Sequence, residues 1–133
     1  FMMIGSPSTS LTTSHIAPLR RTFNGINVER ISFRPKSLPG KAPHPKFEGE
    51  RCRGIQLQAT DINQIDPVKL GVDLLSVMLD ATPDARLTDF IEKLSGIDKS
   101  ELLQQLEEET YQEQWNTTAE HFSQQREEYL LYE

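Results

Sequence analysis

Six of the eight prolines fall within the first 59 residues, at Pro7, Pro18, Pro35, Pro39, Pro43 and Pro45. Each ring removes a backbone donor and clashes with the preceding turn, so no long helix can run through that stretch. Charge divides the chain at the same place. Residues 1–59 carry nine Lys/Arg against three acids, a net of +6, and residues 60–133 carry five bases against seventeen acids, a net of −12. A chain of 133 residues fits at most one compact domain. Its single cysteine has no partner for an internal disulfide. No uninterrupted apolar run approaches the roughly 20 residues that a membrane-spanning helix needs.

The first part reads as a disordered leader. Its first nineteen residues carry no formal side-chain charge, and hydroxyls cluster at Ser6, Ser8, Thr9, Ser10, Thr12, Thr13 and Ser14. Arginines then follow with almost no acid. A stretch rich in Ser/Thr, basic and poor in acids resembles a chloroplast transit peptide, with Arg51-Cys52-Arg53-Gly54 as its processing region. A mitochondrial presequence is the alternative. Pro7 and Pro18 oppose it, because such a presequence carries an Arg-bearing amphipathic helix from its start. An uncleaved basic arm that contacts nucleic acid is a further reading of residues 1–59.

From Asp61 the composition turns to leucine and glutamate. Asp66-Pro67 is a helix start, with an acceptor at the N-cap and a ring suited to the first helical position. Val68, Leu70, Val72, Leu74, Leu75, Val77, Met78 and Leu79 then make a helix apolar around much of its circumference, which calls for burial on more than one side. Thr82-Pro83-Asp84 repeats the start signal, and Leu87, Phe90, Ile91 and Leu94 give an amphipathic second helix. Gly96 suits a left-handed helix end, and Asp98 with Glu101 resembles a capping box opening a third helix. Beyond it, the stripe Leu102, Leu103 and Leu106 and the stripe Tyr111, Trp115, Ala119, Phe122 and Tyr129 do not share one face. Thr110 with Glu113, and Thr117 with Glu120, match capping-box spacing, so a break is expected near 107–117. The expected fold is all-α: a three- to four-helix bundle, or partner-docked helices, over residues 60–133 after the disordered leader of residues 1–59.

Chemistry-bearing patterns are sparse. His121 has Thr117, Thr118, Gln124 and Gln125 one turn away, none of them a partner for a helical metal site. Cys52 lies in the leader without a base to activate it, and Gly71 and Gly96 are isolated rather than part of a phosphate loop. Asp61-x-Asn63 begins like a calcium loop, but Ile65 occupies the third ligand position. No catalytic residue, cofactor or metal is expected. Glu107, Glu108, Glu109, Glu113, Glu120, Glu127 and Glu128 form an acidic surface that repels nucleic-acid phosphates.

What remains is a set of anchors for protein contacts: Leu74, Leu75, Met78, Trp115, Phe122 and Tyr129. The terminal Tyr129-Leu130-Leu131-Tyr132 run reads as a docked end. A core of this size supplies only about 3–5 kcal/mol alone, which favours a protein partner or a homo-oligomer. The sequence is thus read as a plastid-targeted, non-enzymatic subunit, assembly factor or adaptor in the chloroplast stroma or on the stromal membrane face. The rival reading is a small ligand-binding or enzymatic helical bundle with a pocket near Trp115 and His121.

Overall fold

A computed structural model describes residues 2–108 and 111–130. The chain divides into two compact units, Phe1–Arg86 and Leu87–Glu133. The first unit runs β1 (Met3–Ser6), α1 (Thr13–Thr22), β2 (Ile26–Phe33), β3 (Cys52–Ala59), a 3-10 turn (Ile62–Gln64) and α2 (Pro67–Asp80). The second holds α3 (Phe90–Ser95), α4 (Lys99–Glu107) and α5 (Tyr111–Glu127).

The expectation of an all-α fold after a disordered leader is overturned by a three-stranded antiparallel sheet in the order β1-β3-β2. All three strands and α1 lie within residues 1–59. In the β2–β3 pair Val28 sits opposite Leu57, Arg30 opposite Ile55, and Ser32 opposite Arg53. Directly opposed residues share a face of the sheet. Ile26, Val28, Ile55 and Leu57 therefore form one apolar face. Ile31 and Phe33 point to the other, where Phe33 opposes the fully buried Cys52. Apolar residues in β2 thus switch phase between Val28 and Ile31. A strand whose alternation changes face midway lacks the continuous period-2 pattern by which a half-buried strand is read from sequence.

The prolines follow from this arrangement. Pro35, Pro39, Pro43 and Pro45 lie in the connection between β2 and β3, and Pro7 follows β1 directly. Their missing N–H groups therefore cost the sheet ladder nothing. The connection is itself ordered: Gly49 N–H donates to the Pro35 carbonyl at 2.9 Å, Arg34 Nη1 donates to the Gly49 carbonyl at 2.7 Å, and Leu38 bridges Ala42. Of the six prolines in residues 1–59, Pro18 falls inside a helix, α1.

The core of the first unit lies between the sheet and two helices. Ile16, Leu19 and Phe23 from α1 and its end meet Val28, Ile55, and Leu70, Leu74 and Met78 of α2. The α2 positions are four residues apart, so they form one stripe along the helix. Asp66 caps α2 as its position implies, accepting from Val68 N–H and Lys69 N–H at 3.0 Å each. His15 ties the start of α1 to the end of α2. Its Nδ1 accepts from Thr12 N–H at 2.9 Å, which leaves Nε2 as the donor to Asp80 Oδ2 at 3.0 Å.

Thr82-Pro83-Asp84 does not open a helix. Thr82 and Ala85 close a turn, and the Thr82 hydroxyl meets that of the fully buried Thr9 at 3.0 Å. Ser8 donates to Asp84, and Ser10 N–H to the Ala81 carbonyl. The side chains expected to cap a helix are used instead to fasten the segment after β1. The hydroxyl cluster read as a targeting signal supplies the other half of that fastening.

In the second unit Gly96 ends α3 at φ 72°, and Asp98 caps α4 through Ser100 and Glu101 N–H. Leu102, Gln105, Leu106 and Tyr111 are buried. α4 ends at Glu107 and α5 begins at Tyr111, within the stretch where two stripes implied a break. The Thr110–Glu113 pair lies outside the described residues, as do Glu109, Leu131 and Tyr132. Thr117 does not cap a helix, because it lies inside α5 and its hydroxyl donates to the Glu113 carbonyl at 2.9 Å.

Candidate functional site

A groove of about 370 Å³ lies at one end of the helix-packed face of the sheet, lined by Leu11, Arg30, Ile31, Ser32, Arg53 and Gly54. The register explains its composition. Arg30, Ser32 and Arg53 share the face of Val28 and Ile55, but sit past the cluster formed by α1 and α2. Where helices cover the face the side chains are apolar. Beyond them they are cationic and polar.

Arg53 stands on the central strand, with Ser6 of β1 opposite it on one side and Ser32 of β2 on the other. Its backbone is therefore held from both edges. Gly5 faces Gly54 next to it, where the two backbones approach too closely for side chains. Arg30 is two residues from Arg53's direct partner, a diagonal relationship of about 7–8 Å within reach of long side chains. One nitrogen of Arg30, Nη1, donates to the Leu11 carbonyl at 3.3 Å. Among the described residues neither arginine has a carboxylate ion-pair partner, and the Arg53 guanidinium makes no hydrogen bond. Two cations on one face without an acid between them repel each other. An anion placed between them relieves that repulsion and accepts paired N–H donors.

The acids near special geometry are committed to structure. Hydrogen bonds from Gln64 and Asn63 hold Asp61 below the usual carboxylate range. Ser8 does the same for Asp84, and Ser100 for Asp98. A carboxyl group acting as a general acid near neutral pH requires the opposite shift. Burial, and then the Glu50 carboxylate, pushes the Cys52 thiol up, away from the reactive thiolate.

The residues singled out from sequence as contact anchors are dispersed. Leu74 and Met78 belong to the core of the first unit, and Leu75 is half-buried. Trp115 is half-buried. It meets Tyr111 edge-on at 5.5 Å and donates Nε1–H to Gln105 Oε1 at 2.9 Å. Phe122 and Tyr129 are exposed, as is His121. A depression on α5 is lined by Asn116, Ala119, Glu120, Ser123 and Gln124 rather than by the Trp115–His121 pair. In the sequence Arg30 and Arg53 are indistinguishable from the other basic residues of positions 1–59. The alternating Arg53-Gly54-Ile55-Gln56-Leu57-Gln58 run is the signal that places Arg53 on a strand.

Residues 1–132 match the protein family described as exo-beta-N-acetylmuramidase NamZ, C-terminal. A curated relative, the peptidoglycan beta-N-acetylmuramidase NamZ of Bacillus subtilis (strain 168), is 26% identical over 137 residues. The alignment covers 99% of this chain and 31% of that protein, so the chain spans about a third of its relative's length. No solved structure matches. These findings overturn the reading as a non-enzymatic plastid adaptor or assembly factor, and with it the chloroplast and mitochondrial assignments. The family is described as the C-terminal part of a glycosidase, and the relative is bacterial. The rival helical-bundle pocket fails with the all-α fold that it required. The match runs through the very residues taken for a transit peptide, and the chain belongs to the family of NamZ exo-β-N-acetylmuramidase C-terminal domains.

Proposed function

We propose that this chain serves a peptidoglycan-directed exo-β-N-acetylmuramidase, holding the anionic glycan on which hydrolysis acts. The observation that carries this reading is the family match over residues 1–132. The geometry supports a part in substrate binding. Muramic acid differs from other hexosamines by a lactyl ether bearing a carboxyl group, so its glycans offer anionic or peptide-linked ends. A groove of about 370 Å³ falls at the lower end of the range for small-ligand sites, about 300–1,000 Å³. Hydrolysis of a glycosidic bond uses two carboxyl groups, one of them a general acid with a raised pKa. The downward shifts of Asp61, Asp84 and Asp98 suit capping and fastening instead.

The test is enzymatic. The polypeptide is purified from its native source in the form in which it occurs there, then incubated with peptidoglycan glycan chains. Products are followed by mass spectrometry. Release of single N-acetylmuramic acid units from chain ends is expected. Cleavage only at internal bonds, or no release at all, overturns the reading.

A further inference from the structure

Resting on that reading, we propose that Arg30 and Arg53 form a carboxylate subsite that distinguishes muramyl-type sugars from hexosamines lacking a carboxyl group. Arg53 projects from a backbone paired on both edges, so its guanidinium swings from a fixed base. Arg30, which also lines the groove, sits diagonally across the β2–β3 pair with Nη1 engaged at the Leu11 carbonyl, and its remaining N–H groups have no partner among the described residues. Ser32, directly opposite Arg53, adds a hydroxyl to the same wall, and Leu11 supplies an apolar one.

This combination suits a carboxylate carried on a small apolar substituent. The oxygens take guanidinium N–H donors, and the carbon skeleton lies against Leu11. A planar guanidinium fork matches carboxylate geometry, whereas a neutral sugar hydroxyl leaves both cations without a counter-charge. The carboxylate has two sources in peptidoglycan: the lactyl group itself, or the acidic residues of a peptide attached to it. Both present the same chemistry to the groove.

Binding to the full chain is measured by NMR titration with three probes: N-acetylmuramic acid, N-acetylglucosamine and N-acetylmuramoyl dipeptide. The expected result is saturable binding of N-acetylmuramic acid at millimolar concentration or tighter. Shifts should be centred on residues 30–32 and 53–54, with N-acetylglucosamine at least tenfold weaker. Arg53→Gln should weaken N-acetylmuramic acid roughly 10- to 100-fold, the worth of a charge-assisted hydrogen bond. It should leave N-acetylglucosamine unaffected. Arg53 is exposed, so Arg53→Gln should melt like the parent. Arg53→Lys should recover part of the binding because it keeps charge without the fork.

Preference for the free acid assigns the lactyl carboxylate, and equal or tighter binding of the dipeptide assigns the peptide carboxylate. Equal binding of N-acetylglucosamine, an unaltered affinity in Arg53→Gln, or no saturation by N-acetylmuramic acid overturns the subsite. The two proposals fail separately. Release of N-acetylmuramic acid that persists in Arg53→Gln with unaltered KM removes the subsite and keeps the muramidase reading. Carboxylate-dependent binding without release does the reverse.

Discussion

Gly5 of β1 and Gly54 of β3 face one another at a separation that admits no side chain. A Cβ on Gly5 would lie 2.1 Å from the Arg53 carbonyl oxygen, and one on Gly54 would lie 2.0 Å from that of Ile4. The obstructing atoms are backbone, so neither can move aside without opening the strand pair. The edge strand β1 therefore depends on two glycines, and the backbone of Arg53 depends on β1.

Gly54→Ala is expected to destabilise the first unit by about 2–4 kcal/mol, in the range of substitutions that force strain into a packed element. Gly5→Ala should cost a similar amount. The double variant should cost less than the sum, because both lesions open the same pair. Urea unfolding of the three variants checks this. An additive result would mean that the two glycines act independently.

The sheet–helix core gives a sharper contrast. Ile55 is 0% exposed, whereas Ile62 is 75% exposed. Ile55→Ala should cost about 2–5 kcal/mol, and Ile62→Ala less than about 0.5 kcal/mol. Chemical denaturation followed by far-UV circular dichroism measures both.

Thr9 and Thr82 share a buried hydroxyl pair that fastens the segment after β1 to the turn after α2. Thr82→Val leaves the Thr9 hydroxyl only its Ser6 contacts. A loss of about 1–2 kcal/mol is expected. Thr9→Val/Thr82→Val should cost more than Thr82→Val, since Ser6 N–H then loses its acceptor as well. Thermal melts of the single and double variants decide.

Acid should loosen the fold through Asp84 and Asp98. Hydrogen bonds hold both carboxyls below their ordinary value of 3.8 in the folded chain. A depressed folded pKa contributes stability that is fully present above the unfolded value, about 3.9, and is lost as pH falls through the folded pKa. The urea midpoint should therefore fall as pH drops below about 4. Asp84→Asn and Asp98→Asn should each flatten that fall, and an unchanged pH profile in both would contradict the assignment.

In the second unit, Gln105 joins α4 to the indole of Trp115. Gln105→Leu should cost about 1 kcal/mol and shift Trp115 fluorescence. Gln105→Glu keeps an acceptor for the indole N–H and should preserve the emission.

Local features were legible. Asp66-Pro67, Gly96 and Asp98 act as their types and positions imply, because each cap is closed by groups two to four residues away. The Thr82-Pro83-Asp84 signal has the same chemistry but fails as a helix start. Its acceptors are claimed by Ser8 and Thr9, far earlier in the chain. The basic groove was illegible for a related reason. Arg30 and Arg53 are 23 positions apart and separated by a proline-rich connection, so composition registered them only as charge.

The amino-acid sequence by itself determined the helix caps at Asp66 and Asp98, the left-handed end at Gly96, the end of α4 ahead of α5 and the uneven charge of the two halves. All of these rest on interactions within one or two turns, or on composition alone. Only the tertiary structure decided that residues 1–59 are a sheet and helix rather than a leader. Met3 pairs with Gln56, and Ile26 with Ala59. Such partners gain their hydrogen bonds only after a long loop has closed, and no local window contains both sides of the contact. That register also brings Arg30 and Arg53 onto one face of the sheet.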